Sequence, residues 1–266
     1  MNAKPTLLLI DGHSLMFRAF YALSPDSFRT PDGQHTNAIH GFISMMLNIL
    51  ASEKPSHLAV AFDLSRESFR TAEYPEYKGT RGETPPEFIG QTELLREALQ
   101  AMNIKNITRE NYEADDIIAT ITKRAESEGL ESYICTGDRD SFQLVNKATT
   151  VLYPKRGVSE MARMTPEAVE EKYGMTPAQY PDFAALRGDP SDNLPSIPGV
   201  GEKTAAKWVV EYGSLKELLE NVDKVGGKVG QSLRENIDNV IRNRELTQLV
   251  HDAPVTFDID GLAWKG

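Results

Sequence analysis

The 266-residue sequence is poor in cysteine, with Cys135 alone. One thiol cannot close an internal disulfide, and its place in the apolar run 132–136 reads as a buried strand position in a protein kept reduced. No stretch approaches the ~20 apolar residues of a membrane span, and Met1 to Pro5 show no charged segment leading into an apolar one. These absences predict a cytoplasmic chain with no membrane partner. Basic charge is also in deficit: 29 Lys and Arg stand against 39 Asp and Glu, for a formal charge of -10. Taken alone, that acidity argues against a nucleic-acid partner, which normally calls for a basic footprint. With 40% hydrophobic and 26% charged residues, 19 Gly and 15 Pro, the composition excludes a disordered, collagen-like or disulfide-stapled class. No internal repeat or low-complexity tract interrupts it.

What is present is an alternation of two patterns. Apolar or β-branched runs at 6–10, 57–62, 104–108, 131–136 and 149–153 read as strands. Helical periodicity fills 38–52, 87–101 and 114–128 between them. Short apolar runs alternating with helices predict an α/β fold with a mostly parallel central sheet covered by helices. After residue 164 the strand signal fades, and Thr165-Pro166 and Thr176-Pro177 read as helix starts. The expectation is a core over 1–164 and a helical region over 165–266.

The chemistry is expected in the acids, because they fall where strands end. Asp11 closes the first strand, Asp63 the second, and Asp138 and Asp140 follow the strand ending near Thr136. In an open parallel sheet, the carboxyl ends of the strands form the ligand crevice. Glu113, Asp115 and Asp116 open the helix after the 104–108 strand, and Asp189 and Asp192 lie on a Gly/Pro turn. Any one of them could serve as a cap or turn residue. Nine carboxylates in one crevice would repel one another unless cations were bound. Oxygen ligands without a Cys/His cluster select Mg²⁺ or Mn²⁺, and the number suits at least two ions, the arrangement used for in-line attack on a phosphodiester. The five histidines show no ligand or triad spacing. His13 reads as a packing or capping residue, and Ser14 as an N-cap.

Two further segments stand out. In 194–208, Pro198-Gly199-Val200-Gly201 runs into a helix bearing Lys203 and Lys207. Glycines let a ligand approach the backbone and a helix N-terminus offers free N–H groups, so this reads either as a helix-hairpin-helix holding a DNA backbone over about 192–213, or as a plain Gly-capped turn. Between Tyr74 and Glu87 the sequence YPEYKGTRGETPPE is rich in Pro, Gly and charge. It is expected to form a mobile arch over about 74–90 that cannot bury itself. Basic and aromatic residues alternate nearby (Arg66, Phe69, Arg70, Tyr74, Tyr77, Lys78, Arg81), a pattern suited to stacked bases and bound phosphates.

The stretches LLLIDGHSLMFRAFYAL, AFDLSRESFR, YPEYKGTR, YEADDIIAT, TGDRDSFQLV and LRGDPSDNLPSIPGVGEKTAAKWVVEYGSL, in that order, resemble the 5′ nuclease (flap endonuclease) family. Most of all they resemble the 5′ to 3′ exonuclease domains that open bacterial DNA polymerase I chains. The resemblance implies a PIN-like 5′ nuclease fold and nine metal-binding acids: Asp11, Asp63, Glu113, Asp115, Asp116, Asp138, Asp140, Asp189 and Asp192. It assigns Lys78 and Arg81 to the base of a helical arch at the scissile phosphate and Tyr77 to the terminal base, with Arg18 and Arg70 as further phosphate contacts. It makes Ile197 to Gly201 a duplex-binding hairpin that could also hold K⁺. The activity implied is cleavage of 5′ flaps and 5′ ends of DNA and of RNA primers in replication and repair. The partner is a single-strand/duplex junction or RNA–DNA primer, met at the bacterial nucleoid by a monomer fused to or acting with a polymerase. Asp138, Asp140, Asp189 and Asp192 are expected to favour one ion, and Asp11, Asp63, Glu113, Asp115 and Asp116 the other. The alternatives are a DNA-junction-binding module without catalysis, or a PIN-type ribonuclease, which would need neither the hairpin nor the helical region.

Overall fold

The computed structural model describes residues 4–155 and 160–266. Met1–Ala3, the start of the segment read above for targeting, lie outside the described residues. Strand β1 (Thr6–Asp11) leads into α1 (Gly12–Ala22) and α2 (Asn37–Glu53), followed by β2 (His57–Ala61) and the short α3 (Phe69–Glu73). Next come α4 (Gln91–Ala101), β3 (Lys105–Ile107), α5 (Ala114–Ser127), β4 (Glu131–Cys135), β5 (Thr149–Pro154) and β6 (Met161–Met164). The sheet order is β3-β2-β1-β4-β5-β6, with β6 alone antiparallel.

The burial of the strands explains their composition. Along β1, Leu7 and Leu9 point to one core cluster and Leu8 and Ile10 to the other, each fully buried. Both faces are covered, so the strand reads as an unbroken apolar run instead of an alternation. Helix α5 packs Ile117, Ile118, Ile121 and Ala125 onto the first face, and α1 packs Leu15, Met16, Ala19 and Phe20 onto the second. Chain order reverses between β1 and β4, since one hands on to β2 and the other to β5. In open α/β sheets the ligand crevice lies at such a switch point, beyond the carboxyl ends of the strands.

The remainder of the chain is helical. It comprises α6 (Pro166–Tyr173), α7 (Tyr180–Arg187), α8 (Glu202–Tyr212), α9 (Leu215–Glu220), α10 (Gly227–Glu235) and α11 (Ile237–Thr247). Thr165 caps α6 through its side chain, whereas Thr176-Pro177 opens a 3₁₀ turn that hands on to α7. Asn243 on α11 donates to Ala185 O on α7 and to Pro195 O in the hairpin segment, tying these parts together. After α11 the chain returns to the sheet domain as an extended strap.

Two expectations are corrected. The 87–101 helix begins only at Gln91, after a separate 3₁₀ turn at Pro86–Phe88, because Gly90 takes a left-handed conformation (φ 82°). The 74–90 segment is no helical arch. It runs as turns from Pro75 to Thr80 and irregular backbone to Pro85, with Tyr77 only 5% exposed.

Candidate active site

Asp11 ends β1 and also caps α1, its Oδ1 accepting the Ser14 amide at 3.0 Å. The N-cap expected of Ser14 therefore belongs to Asp11. Ser14 Oγ instead accepts the Gly137 amide, bridging α1 to the loop after β4. The other Asp11 oxygen accepts from Thr136 Oγ1 (2.8 Å), which in turn accepts the Asp138 amide. Thr136 thus holds the acids of β1 and β4 in fixed relation, a role invisible in a sequence where it reads as the end of a strand. Gly12 is sterically required here: a Cβ would strike the ring of Phe62. His13 packs edge-on against that ring, with Nδ1 accepting the Asp63 amide at 3.3 Å. Asp63 Oδ1 accepts the Ala114 amide at 2.7 Å and so binds the end of β2 to the start of α5.

The α5 acids divide. Glu113, the N-cap, faces the crevice, where Oε2 meets Lys78 Nζ at 2.8 Å and Tyr77 Oη at 3.3 Å. Asp115 has one long contact among the described residues, from Ser141 Oγ at 3.4 Å. Asp116 turns inward. It is fully buried, holds Arg70 bidentately at 2.6 and 2.8 Å, and accepts the Glu113 and Val250 amides. The expected crevice-facing metal ligand at Asp116 and phosphate contact at Arg70 are therefore placed differently. Arg70 is 1% exposed, and its remaining N–H groups go to Leu246 O and Gln248 O. A buried carboxylate and guanidinium at this spacing satisfy each other, leaving neither for solvent or DNA.

Asp138 caps the 3₁₀ helix Arg139–Leu144 by accepting the Asp140 amide. Asp192 lies on the tight turn closed by paired backbone bonds between Asp189 and Leu194. Its oxygens accept from Arg81 Nη2 (2.8 Å) and Tyr77 Oη (3.0 Å). Asp189 accepts from Ser191 and lies 3.3 Å from Arg187. Tyr77, expected beside a terminal base, instead packs its ring with Leu194 and Leu246. Within 74–81 only Tyr77 is buried, while Pro75, Glu76, Gly79, Thr80 and Arg81 stay exposed; the segment is held to the crevice by the bonds of Tyr77, Lys78 and Arg81 to Glu113 and Asp192.

The crowding has an electrostatic consequence. Burial, then Asp63, pushes Asp11 up to about 7. Burial and neighbouring carboxylates hold Asp115, Asp138 and Asp140 above the ordinary range, the last two with Asp192 among the causes. Burial would also raise Glu113, yet Lys78 and Arg70 outweigh it and leave it low. Lys78 is likewise disfavoured by burial but raised overall by Glu113 and Asp192. Among the described residues no three Asp, Glu, His or Cys side chains already stand in joint coordinating reach. Here the ammonium of Lys78 and the guanidinium of Arg81 neutralise Glu113 and Asp192. The donor set is all oxygen, and its unneutralised members, Asp11 buried and Asp63, Asp115, Asp138 and Asp140 half-buried, suit hard divalent cations.

Beside Asp138 and Asp189 a groove of about 560 Å³ extends past Arg187 to Val200 and Gly201. The hairpin residues Ile197 and Val200 are buried; a Cβ on Gly199 (φ 78°) would meet only Val229 at 3.6 Å, and one on Gly201 would meet open space. Lys203 and Lys207 lie one turn apart on α8, Lys203 exposed, and Arg18 is half-buried on α1.

The family description "5'-3' exonuclease, N-terminal resolvase-like domain" matches residues 6–174, and "5'-3' exonuclease, C-terminal SAM fold" matches 175–266. The chain is 59% identical over 261 residues to DNA polymerase I of Mycobacterium tuberculosis (strain ATCC 25618 / H37Rv), covering 98% of this chain and 29% of that protein. With DNA polymerase I of Bacillus subtilis (strain 168) it shares 43% over 267 residues, covering 100% and 30%. The chain therefore spans about 30% of the length of these relatives. Among solved structures, the T5 D15 protein co-crystallised with metal ions matches in fold with TM-score 0.74 at 21% identity, covering 91% of this chain and 88% of that one. The catalytic core of Rad2 in complex with DNA substrate matches at TM-score 0.59 and 14% identity, covering 96% and 83%. No described helix is long and apolar enough to cross a membrane. Matched from residue 6 to residue 266, the chain belongs to the 5′-3′ exonuclease family and is a nuclease of that family.

Proposed function

We propose that the chain is a structure-specific 5′ nuclease that hydrolyses phosphodiester bonds at 5′ flaps and 5′ ends of DNA, and at RNA primers, with two divalent ions, Mg²⁺ or Mn²⁺. The observation that carries this reading is the convergence on one crevice of carboxylates at the end of β1, just past β2, at the start of α5 and on the 3₁₀ helix after β4, Asp11 buried and the others half-buried, faced by Lys78 and Arg81. Asp138, Asp140, Asp189 and Asp192 would hold one ion, and Asp11, Asp63, Glu113 and Asp115 the other, Asp116 acting behind them. When bound, such ions supply an activated water and stabilise the leaving 3′ oxygen. Lys78 and Arg81 neutralise charge that develops on the phosphoryl oxygens, exchanging Glu113 and Asp192 for the scissile phosphate. The hairpin from Ile197 through Gly199 to Gly201, followed by Lys203 and Lys207, grips the duplex backbone without reading bases, and its carbonyls could hold K⁺.

The setting is the bacterial cytoplasm at the nucleoid, as a monomer, beside a polymerase of the kind that names the relatives. Incubating the chain with a 5′-flap duplex should give a shortened product with Mg²⁺ and none with excess EDTA. Flap binding without any metal-dependent product would instead favour a catalytically silent junction-binding module.

A further inference from the structure

The strap (Leu246–Val250), begun by the last turn of α11, meets the acid site through side chains that the catalytic reading leaves unused. Gln143, on the 3₁₀ helix carrying Asp140, donates to Asp140 O (2.8 Å) and Thr247 O (3.0 Å). Its Oε1 accepts the Leu249 amide (3.0 Å) and Gln248 Nε2 (3.1 Å). Both amide hydrogens and both lone pairs are thus engaged, and the Leu249 N–H fixes which way the group points. The same strap is held from the α5 side, where Arg70 takes Leu246 O and Gln248 O, and Asp116 takes the Val250 amide. Leu246 and Leu249 line the same small cavity as Glu113, Asp115, Asp138 and Asp140.

From this geometry we infer that Gln143 is a positioning residue for the divalent-ion site. It clamps the helix bearing Asp138 and Asp140 to a strap that Arg70 and Asp116 clamp to Glu113 and Asp115, so the strap sets the distance between the two carboxylate groups. Glu113 and Asp140 share no hydrogen bond in the structure; apart from the long Ser141–Asp115 contact (3.4 Å), the polar ties between their elements run through Leu246–Val250. Groups behind metal ligands typically change metal affinity or activity by about 10- to 100-fold when removed.

The inference rests on the two-ion reading, and the test separates the two. Mn²⁺ binding to the 266-residue chain is measured by calorimetry for the wild type, Gln143→Met and Thr120→Val. Thr120 also bonds the strap, at Val250 O and the Ala253 amide, but touches no carboxylate of the crevice. Gln143→Met should bind Mn²⁺ about tenfold more weakly and need correspondingly more Mg²⁺ for flap cleavage. Thr120→Val should lower the melting temperature with Mn²⁺ affinity unchanged. Equal Mn²⁺ affinity in Gln143→Met and wild type overturns the inference, as does an equal loss in Thr120→Val. If Gln143→Met does not fold, Gln248→Met decides in the same way, with a smaller loss expected. A wild type that binds no Mn²⁺ overturns the two-ion reading itself.

Discussion

Asp11 shows how one residue can serve structure and chemistry at some cost to the former. It caps α1 and accepts from Thr136, yet burial and Asp63 lift its pKa from 3.8 to about 7. A carboxyl whose folded pKa is raised binds its proton more tightly in the native state, so its contribution to stability falls as pH rises from about 4 to about 7. In EDTA, therefore, the melting temperature of the wild type should decline across that window more steeply than that of Asp11→Asn. Mg²⁺ should restore the wild type more at pH 8 than at pH 5, and parallel melting curves for the two proteins would contradict this. Lys78 gives the kinetic counterpart. If the proposed role of Lys78 at the transition state holds, Lys78→Ala should slow single-turnover cleavage of a flap by about 100-fold or more while changing flap affinity little. An unchanged rate would remove Lys78 from the chemistry.

At the scale of elements, the Arg70–Asp116 pair fastens α3, α5 and the strap together. Removing one partner leaves a buried charge uncompensated, so Arg70→Met should cost about 3–5 kcal/mol by urea denaturation, and Arg70→Met with Asp116→Leu should recover part of it. Gly188 ends α7 at φ +73°, and a Cβ there would lie 2.7 Å from the Ser196 backbone nitrogen. Gly188→Ala should destabilise the fold by about 1–3 kcal/mol and weaken duplex binding by shifting the hairpin that follows.

Much of this level was legible in the sequence, because the strands β1, β2, β4 and β5 are buried on both faces and read as apolar runs. β6 was missed because Met161–Met164 is a partly exposed edge strand with Arg163 in its middle. The acids at strand ends could be read from position alone. The inward turn of Asp116 could not, since its partners Arg70 and Val250 lie 46 and 134 residues away. Gln143 gave no signal for the same reason, and Tyr77 was misplaced because its burial depends on Leu194 and Leu246.

For the whole molecule, the formal charge of -10 conceals its distribution. The carboxylates of the crevice account for most of the excess, while Lys203 on α8 is exposed beside the hairpin. DNA affinity should therefore rise on adding Ca²⁺ and fall with salt. Lys203→Ala with Lys207→Ala should reduce the slope of log affinity against log salt by about 2, with the single-turnover rate at saturating enzyme little changed. A slope equal to that of the wild type would place the duplex elsewhere.

The strap also has a consequence in time. Leu246 O meets Arg70 across 176 residues of chain, so the contacts that space the acids form only once Leu246–Val250 have been made. During synthesis, a nascent chain still missing Leu246–Val250 from its folded part would carry the sheet, the cap at Asp11 and the Thr136 bridge, but not a completed set of carboxylates. Nuclease competence would then follow the emergence of the strap from the ribosome, and a nascent chain ending short of it would not be free to cut.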